Sequence, residues 1–145
     1  MAKRIVVAVD RITPPYALLD LVGDAARGGG ATIRLLHVAP VPDGVVDDDG
    51  RVLAYADQEL ERVQAETLDA LRAFEVHLPE GAADSTVRFG DPATEILREA
   101  EEFGADLIAM PATCETGVRR LLFGGVTEQV ARRAPIAVLL LRPAV

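Results

Sequence analysis

The stretch STVRFGDPATEILREAEEFGADLIAM, residues 85–110, holds one complete unit of the fold. Ser85 to Phe89 reads as a strand. Gly90-Asp91-Pro92 then opens a helix, with Asp91 as N-cap and Pro92 at the first helical position, where its missing N–H is harmless. Ile96, Leu97, Ala100 and Phe103 recur at helical spacing and form an inward face. Leu107-Ile108-Ala109-Met110 is a further strand, apolar throughout. Strands joined through helices and apolar on both faces belong to a parallel sheet covered on both sides.

The same unit repeats outward in both directions. Arg4 to Val9 is an apolar, β-branched strand ending at Asp10. Thr13-Pro14-Pro15 supplies an N-cap and two prolines suited to a first helical turn, and Ala17, Leu18, Leu21, Val22 and Ala25 give the helix its inner face. Gly28-Gly29-Gly30 follows a helix and precedes a strand, the reverse of a phosphate cradle, and reads as a helix stop. Thr32 to Ala39 is the second strand; His37 within it reads as a packing or hydrogen-bonded residue ahead of a ligand.

Pro40 to Gly50 reads as a solvated turn. Its Asp47-Asp48-Asp49-Gly50 fails as a calcium loop, because Val45 and Ala56 stand where the first and twelfth ligands belong. A long helix follows, with Leu53, Ala56, Leu60, Val63, Leu71 and Phe74 as its stripe and Thr67 bridging the widest gap. Beyond residue 110 come a loop, a helix from Val126 to Arg133, and a last strand from Ile136 to Leu141 opened by Pro135. Five strands alternating with helices predict an α/β domain over residues 1–145. In such open sheets ligands lie beyond the carboxyl ends of the strands, where strand order reverses.

Composition removes whole classes of chemistry. The 145 residues are 50% hydrophobic and 26% charged, enough for one core without staples. One cysteine and two histidines leave no disulfide framework and no structural zinc set. Lys3 is the only lysine, so there is no P-loop lysine and no Schiff-base candidate. Ser85 is the only serine and lacks the flanking glycines of a nucleophile elbow. No apolar run is long enough for a membrane helix, and Met-Ala-Lys-Arg leads straight into a strand, so a cytoplasmic location is expected. The net charge of −8 argues against a general nucleic-acid footprint. Charge is nevertheless polarised: residues 1–114 carry 21 acids and 10 bases, residues 115–145 two acids and five arginines. That basic end reads as a basic C-terminal helix, or as a local site for a small anion.

From Gly104-Ala105-Asp106 onward the chain resembles the universal stress protein family. That family has a strand of the type A-D-L-I-V-M-G, then G-x-x-G-x9-G-[ST], V-x-E-x-V and P-x-x-V-L-x-V. Gly124, Val126, Glu128, Val130, Pro135, Val138, Leu139 and Leu141 stand at the matching offsets. Upstream, Val9-Asp10 resembles the family's first strand end, Leu35-Leu36-His37-Val38 its second strand, and Val87, Gly90, Pro92 and Ile96 its V-x-x-G-x-P-x-x-x-I segment. The resemblance implies a three-layer, Rossmann-like sandwich akin to the adenine nucleotide α-hydrolases. Its five parallel strands would run in the order 3-2-1-4-5, usually in a dimer. It also implies an ATP site, with adenine near Val38, ribose near Asp10, and phosphates on the loop from Met110 and Pro111 to Val126.

That loop departs from the family. The two leading glycines are Pro111 and Cys114; Gly124 is kept, and Gly125 replaces the hydroxyl residue. Proline has no N–H, cysteine carries a Cβ, and glycine has no hydroxyl to donate. Two lost charge-assisted hydrogen bonds, at about 1.5–3 kcal/mol each, remove roughly two to four decades of affinity. Cys114 reads as an inert substitution, with a redox-sensing thiol as the alternative.

The expectation is a non-catalytic, dimeric stress-response module with weak or absent ATP (with Mg²⁺) binding. Its alternative is an ATP- or AMP-binding sensor. A nucleotide-hydrolysing enzyme of related fold would need a serine-rich pyrophosphate loop after the first strand, where Asp10-Arg11-Ile12-Thr13 stands. A receiver domain would need a late lysine. The dimer is expected through the last strand, with Ile136, Val138 and Leu140 on its surface.

Overall fold

The computed structural model describes residues 3–10, 15–42, 45–46, 52–54, 56–112 and 125–142. In chain order these are β1 (Arg4–Ala8), α1 (Tyr16–Gly29), β2 (Thr32–Ala39), β3 (Val45–Val46), β4 (Val52–Ala54), α2 (Ala56–Glu75), β5 (Ala83–Phe89), α3 (Pro92–Phe103), β6 (Leu107–Pro111), α4 (Val126–Arg133) and β7 (Ala137–Leu141). Five strands form one parallel sheet in the order β5-β2-β1-β6-β7, and β3 pairs with β4 in a small antiparallel hairpin. Numbered by the major strands alone, the order is 3-2-1-4-5, as the sequence predicts.

The apolar strands are explained by a core on each face. Ile5, Val7, Ile33, Leu35 and Ala109 pack with Leu18, Leu19 and Val22 of α1 and Leu71 and Phe74 of α2. The alternate residues Val6, Ala8, Leu36, Ile108 and Met110 pack with Ala93, Ile96, Ala100 and Phe103 of α3 and Val130 of α4. Each fully buried aliphatic side chain contributes about 1.5–3 kcal/mol of transfer free energy, so β1 and β6 anchor both layers at once.

Local chemistry sets the joints. Asp91 caps α3, its carboxylate accepting from Thr94 N–H at 3.0 Å and Thr94 Oγ1–H at 2.8 Å. Those two bonds hold its pKa below the usual carboxylate range. α3 stops at Gly104, whose φ of 70° is the left-handed conformation that glycine adopts without strain. Asp106 accepts from the N–H groups of Lys3 at 2.9 Å and Arg4 at 3.2 Å, tying the start of β1 to the start of β6. On the α3 side, Glu99 is buried between Arg34 (3.2 Å) and Arg88 (2.8 Å), and Arg88 also reaches Glu95 (3.1 Å) and Glu102. Arg34 extends to Asp84 and lies over the Phe103 ring, 4.2 Å from its centroid.

Several sequence expectations shift. α1 turns Leu19 and Ala26 inward, while Leu21 is 44% exposed and Ala17 is exposed, so the stripe is rotated. Pro15 occupies the cap position before α1 instead of its first turn, and Thr13 lies outside the described residues. Leu53 belongs to β4 and not to the long helix: pairing of β3 with β4 takes the segment that helical spacing claims, and α2 begins at Ala56. β5 starts two residues early, at Ala83, because Ile33 and Arg34 of β2 pair with Ala83 and Asp84. Pro111 ends β6 opposite Leu141 instead of beginning a loop, and Ile136 precedes β7.

Candidate functional site

Strand order reverses between β1 and β6, and a cleft of about 190 Å³ opens beyond the carboxyl ends of β1, β2 and β6. Val9, Asp10, His37, Val38, Met110 and Pro111 come from the strand ends, Pro92 and Ile96 from α3, and Val126 and Thr127 from α4. Met110 is buried beneath it, His37, Val38, Pro111 and Val126 are half-buried, and Asp10 is exposed. Five of the eight expected site residues thus line one cleft: Asp10, Val38, Met110, Pro111 and Val126. Gly125 lies next to it as the N-cap of α4. Cys114 and Gly124 lie outside the described residues.

A second groove, of about 520 Å³, runs between α3 and α4 past Leu97, Arg98, Arg133, Pro135 and Ile136. It is larger, but no residue from a strand's carboxyl end lines it. The smaller cleft is therefore the candidate.

Backbone polarity gives this cleft its chemistry. Successive peptide groups of a strand point to opposite sides. On β2, Thr32 N–H donates to Lys3 O and Leu36 O accepts from Val9 N–H, so even-numbered residues face β1. Ile33 N–H donates to Ala82 O and Ala39 O accepts from Gly90 N–H, so odd-numbered residues face β5. Val38 accordingly directs one donor and one acceptor toward the β1 side, where paired β1 residues end at Ala8 opposite Leu36. One donor beside one acceptor is the pattern that N1 and the 6-amino group of adenine complement.

The other end of the cleft is formed by the N-terminus of α4, where backbone N–H groups and the helix dipole favour an anion. Gly125 there has φ −71° and ψ 162°, and makes no side-chain cap. That is ordinary extended backbone, and a Cβ built on Gly125 would approach nothing nearer than Thr127 Oγ1 at 3.6 Å. The missing hydroxyl is thus a chemical loss that the backbone does not require. At α3 the N-cap is the Asp91 carboxylate, which takes the Thr94 N–H internally. Among the described residues no three His, Cys, Asp or Glu side chains converge as a metal cage.

Pro92, Ile96 and Thr127 line the cleft without a sequence motif that marks them as site residues, Pro92 and Thr127 from helix starts and Ile96 from the next turn of α3. Sequence reasoning also placed His37 among packing and hydrogen-bonded residues. The ring is hydrogen-bonded, Nδ1 to Val9 O at 2.8 Å, and His37 also lines the cleft. In the expected dimer set, Val138 and Ile136 pack partly against the α3–α4 core, while Leu140 is 39% exposed on a strand at the sheet's edge.

Comparison with known proteins gives a consistent picture. The sequence model of the universal stress protein family matches residues 1–142. A universal stress protein of Bacillus subtilis, YxiE, is 28% identical over 98% of this chain and its own full length. A universal stress protein of Methanocaldococcus jannaschii, MJ0531, is 45% identical over 37% of this chain but only 31% of its own length. Among solved structures, the universal stress protein of Archaeoglobus fulgidus in complex with dAMP superposes with a TM-score of 0.59 at 20% identity, covering 95% of this chain and 96% of that one. Among the described residues no helix is long and apolar enough to cross a membrane.

Proposed function

Because the chain belongs to the universal stress protein family, we propose that it is a cytoplasmic, dimeric stress-response module that binds the adenosine end of a nucleotide without turning it over. The observation that carries this reading is the asymmetry of the cleft. Its base end keeps the outward-facing peptide edge of Val38, the apolar support of Met110 and the carboxylate of Asp10. Its phosphate end has Pro111 without an N–H and Gly125 without a hydroxyl. The dAMP complex of the Archaeoglobus relative supports a monophosphate-sized ligand as the class to test first.

In this reading Val38 contacts the base, Asp10 the ribose hydroxyls, and the α4 N-terminus the first phosphate through backbone N–H groups alone. Each further phosphate adds charge without a matching side-chain donor. The expected order is therefore flat: adenosine, AMP and ATP bind within about tenfold of one another, a span of 1.4 kcal/mol. Calorimetry with the three ligands tests it. ATP binding in the low micromolar range and more than a hundredfold tighter than adenosine overturns the reading. Phosphate release from ATP that disappears in Asp10→Asn overturns its non-catalytic part.

The same losses at Pro111 and Gly125 support a second reading, a dimeric interaction module with no nucleotide, whose working surface includes the exposed Leu140 of β7. A preparation that carries no co-purifying nucleotide and gives no heat with any of the three ligands selects it.

A further inference from the structure

β1 leaves the sheet at the point where the cleft begins, and the hydrogen bond made there is not a ladder bond. Val9 N–H still donates to Leu36 O at 2.9 Å, the last main-chain step in the β1–β2 direction. The next step of a parallel ladder would bring Val38 N–H to Val9 O. Instead the ring Nδ1 of His37 stands 2.8 Å from that oxygen. A carbonyl only accepts, so Nδ1 carries the proton and donates it.

We propose that His37 is a positioning residue for the ligand cleft: its ring N–H takes the Val9 carbonyl in place of Val38 N–H, and so keeps the peptide edge of Val38 open to a base. The ligand part of this proposal rests on the nucleotide reading above; the strand-parting part does not. His37 belongs to the α1–α2 side of the strand, as its odd-numbered neighbours Ile33 and Leu35 do, whereas Val38 packs toward α3 and α4. The ring thus reaches the carbonyl from one face, while Ala8, Leu36, Val38, Ile96 and Met110 of the cleft's lining lie on the other. Asp10 follows Val9 directly, so the same bond holds the carbonyl of the peptide that leads into Asp10.

The geometry distinguishes three replacements. Asparagine carries an amide N–H near the position of Nδ1 and retains the bond. Glutamine places its amide one carbon farther out, near the position of Nε2, and loses it while remaining polar. Leucine loses it outright. Without the ring N–H, Val9 O becomes available to Val38 N–H, and β1 pairs one step farther.

The test has a ligand-free arm and a ligand arm. Amide hydrogen exchange of Val38 is expected to slow about tenfold or more in His37→Gln and His37→Leu, and to stay at the unmodified rate in His37→Asn. Adenosine affinity is expected to fall about three- to tenfold in Gln and Leu, the loss of one hydrogen bond's worth of positioning, and to change less than twofold in Asn. Exchange of Ile108 in β6, on the far side of β1, reports whether each variant is folded; if Leu fails there, Gln and Asn carry the comparison. Unchanged Val38 exchange in Gln, or equal losses in Gln and Asn, overturns the proposal. If the unmodified chain binds no adenosine, the nucleotide reading fails, and the exchange arm alone judges His37.

Discussion

Restoring one hydroxyl at Gly125 isolates the phosphate end of the cleft. The backbone there, at φ −71° and ψ 162°, is open to any residue, and a new Cβ would lie 3.6 Å from Thr127 Oγ1, an ordinary contact. Gly125→Ser therefore introduces no strain, and as an N-cap its oxygen adds a few tenths of a kcal/mol to α4. The same hydroxyl has a proton to donate to a phosphate oxygen. A hydrogen bond to a charged acceptor contributes about 1.5–3 kcal/mol, or roughly ten- to 150-fold in affinity. Calorimetry with ATP and with adenosine separates this contact from any general tightening of the cleft. ATP should gain the full factor while adenosine moves by less than about twofold. Pro111→Gly is a poorer probe, because Pro111 is paired with Leu141 in β6, and releasing its backbone costs about 0.4–1 kcal/mol through the unfolded chain. An equal gain for both ligands, or none for ATP, refutes the assignment of the α4 N-terminus to the phosphates.

Three further outcomes are expected. Thr67 is fully buried in α2 and its Oγ1 has no hydrogen-bond partner among the described residues, so Thr67→Val should raise stability by about 1 kcal/mol in urea unfolding; a loss of stability would show that the hydroxyl is satisfied in solution. The lowered pKa of Asp91 means that its cap stabilises the fold above the unfolded carboxylate value near 3.9 and is lost as pH falls through the lower folded value. Asp91→Ala should therefore cost about 0.5–2 kcal/mol at neutral pH and progressively less below about pH 4, whereas a deficit independent of pH would contradict the linkage. Light scattering should report twice the 15.5 kDa chain mass, and Leu140→Asp should halve it. Leu140 is the better probe than Val138, which also packs against this chain's own core, and an unaffected dimer would exclude the β7 edge.

The strands were legible because burial on both faces leaves no polar alternation to misread, as in Ile5 to Val9 and Leu107 to Met110. The rotation of α1 was not. Ala17, Leu18, Leu19, Leu21, Val22, Ala25 and Ala26 surround so much of the helix that spacing alone does not select a face. The start of α2 was obscured because Leu53 keeps helical spacing with Ala56 and Leu60, while its neighbours Val52 and Ala54 pair with Val46 and Val45 of β3. Glu95 and Glu99 carry a readable signal, two acids four apart beside Ile96 and Ala100 on α3, but Arg34 and Arg88, which pair with them, lie on β2 and β5. Asp10, Val38 and Met110 were legible as strand ends. The part played by His37 was not, since it depends on the residue at which β1 stops pairing.

The clamp between Asp106 and the N–H groups of Lys3 and Arg4 also dates the assembly of this sheet. Of the sheet's five strands β1 is synthesised first, and it is the middle strand of the finished sheet, flanked by β2 on one side and β6 on the other. At about 5–20 residues per second, roughly 5–20 s pass between the synthesis of Val9 and that of Leu107. Throughout that interval Ile5 to Val9 is an apolar strand with at least one unpaired edge, the kind of segment that pairs with other chains. Asp106 sits directly ahead of the strand that closes the gap, and its carboxylate takes the N–H groups of Lys3, just before β1, and Arg4, its first residue, as that strand docks. Of the five strands, the one made first thus waits for the fourth before its second edge is covered, and β6 in turn stays open until β7 pairs with it.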